Sequence, residues 1–88
     1  MMNPITEIQI IPIKANKGHV AFCSFVLFNS IYCSSVAIYT RPNGLYRLVY
    51  PTKPYGNHNL NIFHPINKSF AEAIEQAVFA ELNMVLKQ

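Results

Sequence analysis

The stretch VAFCSFVLFNSIYCSSVAIYT, residues 20–40, decides how the rest of the chain must be arranged. It holds two runs rich in β-branched and aromatic residues, 20–28 and 31–40, on either side of Asn29-Ser30. That is the pattern of a β-hairpin. Both parities of the first run are apolar, with Val20, Phe22, Val26 and Phe28 on one and Ala21, Cys23, Phe25 and Leu27 on the other. A strand apolar on both faces needs a cover on each. One helix supplies one cover, so the other is expected from a second copy of the chain.

A two-residue turn at Asn29-Ser30 would set Phe28 against Ile31, Cys23 against Val36 and Cys33 against Val26. The two thiols would then project from opposite faces of the sheet and could not bridge. Free, buried cysteines are the expectation.

Working outward, ITEIQIIPI (residues 5–13) predicts a strand, and Pro12 places it at an edge or a strand end. Residues 14–19, KANKGH, form a polar connector, and RPNG (residues 41–44) has turn chemistry. LYRLVY (45–50) predicts the fourth strand, PTKPYGN (51–57) an exposed loop, and HNLNIF (58–63) the fifth strand. His64-Pro65 then ends the ladder, because proline cannot donate to it and restricts the residue before it. Ile66 is expected to turn into the core.

Ser69, with Glu72 three residues on, reads as a capping box. Phe70, Ile74, Ala77, Val78, Leu82 and Val85 then recur at helical spacing to about Leu86. With Phe70 as zero, Glu81 falls at about 20° around the helix, within the apolar arc. It is therefore expected to be buried and paired, a structural carboxylate. The whole chain, residues 1–88, predicts a single α+β domain: an antiparallel meander of about five strands with one C-terminal helix packed on it.

Of the 88 residues, 51% are hydrophobic and 12% charged, too apolar for disorder and apolar enough to leave surface for an interface. A net charge of +3 permits a polyanionic partner without requiring one. The longest apolar run, residues 20–28, is well short of the ~20 residues a membrane helix needs. MMNPITEIQ lacks the pattern of a secretory signal, so a soluble, cytoplasmic protein is expected. No phosphate loop, CxxC pair, HExxH or G-x-S-x-G is present, and His19, His58 and His64 lack a ligand spacing. Neither enzymatic activity, a cofactor nor a metal site is expected.

The segment YTRPNGLYRLVYPTKPY interleaves Tyr39, Tyr46, Tyr50 and Tyr55 with Arg41, Arg47 and Lys53. Cations that track phosphates and rings that stack on bases are what single-stranded nucleic-acid binding uses. Tyrosines are equally good strand formers, and cations keep a sheet edge soluble.

Three motifs in order, NGLYRLVYPTK, NIFHPIN and AIEQAVFAEL, resemble the SpoVG family of bacterial septation and sporulation proteins. The resemblance rests on Asn43-Gly44-Leu45-Tyr46, Pro51-Thr52-Lys53, the His64-Pro65-Ile66 corner, and Ile74, Ala77 and Val78. It spans about residues 5–86 and implies a small α+β homodimer that binds DNA or RNA as a regulator. The alternative is a protein-interaction or structural dimer module with no nucleic-acid role, favoured by Glu72 and Glu75 on the outer side of the helix.

Overall fold

The meander begins with four antiparallel strands: β1 (Ile5–Asn16), β2 (His19–Leu27), β3 (Ile31–Thr40) and β4 (Tyr46–Val49), in that spatial order. The computed structural model describes residues 4–86. A separate two-stranded ribbon, β5 (Thr52–Tyr55) and β6 (His58–Asn61), follows, and then one helix, α1 (Lys68–Leu86). The fold is α+β, with the helix packed on one face of the sheet. No helix among the described residues is long and apolar enough to cross a membrane.

Ile74, Val78 and Leu82 supply the helix's share of the core, against Ala21, Cys23, Phe25, Cys33, Val36 and Ile38 from β2 and β3. On an ideal helix those three side chains lie at about 40°, 80° and 120° from Phe70, so the buried arc centres near 80°. Glu81 sits some 60° off that centre. It is half-buried, with no ion pair or hydrogen bond among the described residues, and the expectation of a buried, paired carboxylate is corrected accordingly. Replacing Glu81 by alanine should change stability by no more than about 0.5 kcal/mol in urea titration, the usual range for surface positions.

Two β-bulges fall near the middle of the sheet, and two further register shifts lie at its other end, between Pro12 and Asn16 of β1 and between His19 and Ala21 of β2. β1 carries two residues, Glu7 and Ile8, where β2 has only Phe25 between paired positions. β3 carries Ser34 and Ser35 where β2 has only Ser24. Glu7 (φ 51°) and Ser35 (φ 63°) adopt left-handed backbone, as the extra residue of a bulge often does. The bulge in β3 resets alternation, so Cys33 opposite Phe25 and Cys23 opposite Val36 face the same side. Both cysteines are buried in the core and free, which corrects the expectation that they point to opposite faces.

The hairpin turns also differ from their simplest reading. Leu27 pairs with Ile31, leaving Phe28, Asn29 and Ser30 in the loop. The Ser30 N–H donates to the Leu27 carbonyl at 2.9 Å, so Phe28 and Asn29, both left-handed, are the central turn residues. Phe28 stacks on Phe70 (5.8 Å between centroids, 10° between planes), a contact that offsets some of the strain of a positive φ on an aromatic residue. The connector 14–19 is mostly strand: β1 runs to Asn16, and Lys17-Gly18, with φ of 54° and 88°, make the tight turn into β2.

The loop expected at 51–57 pairs instead with β6 through Thr52–Asn61, Lys53–Leu60, Pro54–Asn59 and Tyr55–His58. All eight ribbon residues are exposed. β6 ends at Asn61, so the ladder stops before His64-Pro65 and not at it, and Ile66 is 92% exposed rather than turned into the core.

The helix starts earlier than the Ser69 capping box implies. Asn67 is the cap: its Oδ1 accepts the Phe70 N–H at 2.8 Å, and the Ser69 hydroxyl donates to the same oxygen at 2.8 Å. Asn67→Ala should therefore destabilise the fold by about 1 kcal/mol, seen as a lower urea midpoint, with Ser69→Ala costing less.

Candidate functional site

Register brings three residues of different strands into one row. His19 pairs with Tyr39, and Tyr39 pairs with Arg47. The His19 and Tyr39 rings stack at 4.8 Å with 14° between planes, and Phe22 meets His19 edge-on at 4.6 Å. The Arg47 guanidinium carbon lies 5.1 Å from the Tyr39 ring centre, a cation–π contact. His19 Nε2 lies 3.1 Å from the Ala21 carbonyl, and a carbonyl only accepts, so this nitrogen carries the proton. The row lies on the face of the sheet turned away from the helix, because β4 alternates: Tyr46, Leu48 and Tyr50 pack toward the core while Arg47 does not.

Backbone contacts add more cations to this end. The Thr40 N–H donates to the Gly18 carbonyl at 2.8 Å, which sets the Lys17-Gly18 turn beside Arg41. Gly18 needs its φ of 88°, and a Cβ there would meet Thr40 Oγ1 at 3.4 Å. Arg41 and Arg47 line one open cleft of about 570 Å³ with Thr40, Pro42 and Asn43. Lys14 and Lys17 belong to the same end of β1 and its turn. Glu72, Glu75 and Glu81 are all on the helix and Glu7 is near the opposite end of β1, although Glu75 lines a second cleft with Arg41.

The patch expected from sequence is thereby divided into three. Arg41 and Arg47 lie together at the cleft. Tyr46 and Tyr50 face the other way: Tyr46 rests on Phe79 at 5.9 Å, and Tyr50 on Phe63 at 6.0 Å. Lys53 and Tyr55 share a parity of the separate ribbon, exposed with the rest of it. His64 is exposed, with Nδ1 3.1 Å from the Pro65 carbonyl, and Ser69 is bound to the helix cap. His19, Phe22, Lys14 and Lys17 join the site without having been singled out from sequence; His19 meets Tyr39 through the register shift between His19 and Ala21, which no residue pattern announces.

Behind the sheet, the Tyr50 hydroxyl is buried without a hydrogen-bond partner. Burial, with Glu75, Cys23 and Cys33 nearby, pushes its pKa from 10.0 up to about 12. Burial alone raises Cys23 from 9.0 to about 12, and it raises Cys33 as well. In the folded state these acids hold their protons to higher pH than in the unfolded chain. Stability should therefore be full below pH 9, decline as the unfolded thiols and then Tyr50 ionise, and stop falling above about pH 12. Melting temperatures measured from pH 8 to 12 check this; a flat profile contradicts it, and Tyr50→Phe should remove the later part of the fall.

Among the described residues no group of three or more His, Cys, Asp or Glu side chains is placed to hold a metal ion. No model of a known protein family matches this chain, and no curated protein matches it.

Proposed function

We propose that the protein is a nucleic-acid-binding homodimer, a regulator of the SpoVG-like kind that its motifs resemble. The observation that supports this reading most is the His19–Tyr39–Arg47 row ending at the cleft shared by Arg47 and Arg41. The Arg47 guanidinium is held over a ring, and its planar fork of donors suits a phosphate oxygen. Tyr39 has one ring face against His19 and Arg47 packed over the ring, so the row works through cations and ring edges more than by stacking bases on Tyr39.

The second copy is assigned to the opposite end of the hairpin. Phe28, Ile31 and Ile66 are exposed there, around an apolar groove of about 330 Å³ walled by Leu27, Phe63 and Phe70. A dimer formed at that end leaves the cations free. The groove also favours a second reading, an interaction module that binds only protein.

Fluorescence anisotropy of labelled single-stranded DNA and RNA, across a salt series, separates the two. Phosphate binding should give a log–log slope of about −0.7 per contact. Absence of salt-dependent binding rejects the nucleic-acid reading. A light-scattering mass equal to the 10.0 kDa chain rejects the dimer.

A further inference from the structure

The two bulges fall at almost the same level of β2: that of β1 faces Phe25 and that of β3 faces Ser24. Two strands bulged on either side of the middle of β2, where β2 itself has no extra residue, flank a trough on the face away from the helix, of about 290 Å³. Its lining combines Gln9, Ser24, Ser34 and Ser35 with the apolar Ile11 and Cys23 and two rings, Phe22 and Tyr32. Ser24 is only 5% exposed, yet its hydroxyl makes no hydrogen bond among the described residues. Phe22 is 37% exposed and Tyr32 is 67% exposed. Unlike Tyr39, Tyr32 has no ring or cation stacked on it among the described residues.

We propose that this trough takes one unstacked nucleobase, so that the protein reads a single strand and not a duplex. The inference rests on the nucleic-acid reading above and adds the part that senses base identity. Three features support it. Phe22 belongs both to the trough and to the row that leads through His19 and Tyr39 to Arg47, so phosphate-binding cations and trough are continuous. Serine hydroxyls and the Gln9 amide donate and accept, which matches the mixed edge of a base and wastes hydrogen bonds on a plain hydrocarbon. The volume is near the lower bound of ligand pockets, ~300 Å³, room for one ring system. A base inside a duplex presents neither its ring face nor its pairing edge, whereas a base in a single strand presents both.

The test compares three labelled probes of equal length: a single-stranded oligonucleotide, the same backbone with abasic sites, and a duplex. The wild-type protein should bind the single strand about tenfold more tightly than the abasic strand, the order of one stacked base. Tyr32→Ala should erase that difference and leave the salt slope unchanged, while Tyr32→Phe, which keeps the ring, should preserve it. Equal affinity for base-bearing and abasic strands, with the salt slope intact, overturns the base site and leaves phosphate binding standing. Loss of binding to all three probes by the wild-type protein overturns both. A Tyr32→Ala protein that keeps its base preference but falls from dimer to monomer mass assigns this surface to the second copy and overturns the proposal.

Discussion

Phe25→Ala is expected to destabilise the protein by about 3–5 kcal/mol, the range for truncating a fully buried aromatic. Phe25 has no exposed surface and lies in β2, which has a strand on each side. Both of those strands are bulged at or beside its level, so neither has a regular backbone ready to slide into the space the ring would leave. A domain of this size has roughly 4–13 kcal/mol of stability in all, at about 0.05–0.15 kcal/mol per residue. The variant should be partly unfolded at room temperature in dilute urea. Phe22, three residues earlier in β2, is 37% exposed on the other face, and its alanine variant should lose well under half as much. A Phe25→Ala protein whose urea midpoint falls no further than that of Phe22→Ala would show that the core is not centred on this ring.

The double substitution Arg41→Ala with Arg47→Ala should lower affinity for single-stranded nucleic acid at least tenfold. It should also flatten the salt dependence by about 1.4 in log–log slope, two phosphate contacts at about 0.7 each. The two arginines line one cleft, and neither makes an ion pair among the described residues, so removing them leaves no buried charge behind. Folding should be untouched, since both are exposed. Lys53→Ala is the control: it lies on the separate ribbon, and its loss should change affinity less than threefold. Equal effects of Lys53 and the arginine pair on the salt slope would move the binding surface onto the ribbon.

Much of this architecture was legible in the sequence, and the parts that were not share one cause. The helix, the turn at 41–44, the edge position of β1 and the order of the first four strands follow from periodicity and turn residues, which act locally. Strict alternation misplaced Cys33, because the left-handed backbone at Ser35 shifts parity and serine does not announce it. The strand at Thr52–Tyr55 was hidden by Pro51, Pro54 and Gly56, whose turn signals outweigh a short pairing with no core behind it. The helix cap moved to Asn67 because both Asn67 and Ser69 are residues that cap a helix, and the Asn amide oxygen accepts the Phe70 N–H. For the binding surface, Arg41 and Arg47 were readable as cations in a strand-and-turn segment. Their partners His19 and Lys17 come from a hairpin more than twenty residues away, and only the register between strands unites them.

The bulges bear on how the length of this chain can vary. Remove Ser35 in thought, and Cys33, Ser34 and Val36 become successive rungs opposite Phe25, Ser24 and Cys23, each still on its present side. Remove Glu7, and Ile8 falls opposite Phe25 with Ile5 and Ile10 still inward. Neither residue is needed to complete the ladder; each is a spliced-in single letter that leaves the meaning of its neighbours intact. A shortened relative lacking both would keep the same core and the same helix, and its sheet would be flat where this one is dented. Single-residue gaps at these two positions are therefore the length changes to look for in related chains, and they would mark which members carry the depression and which do without it.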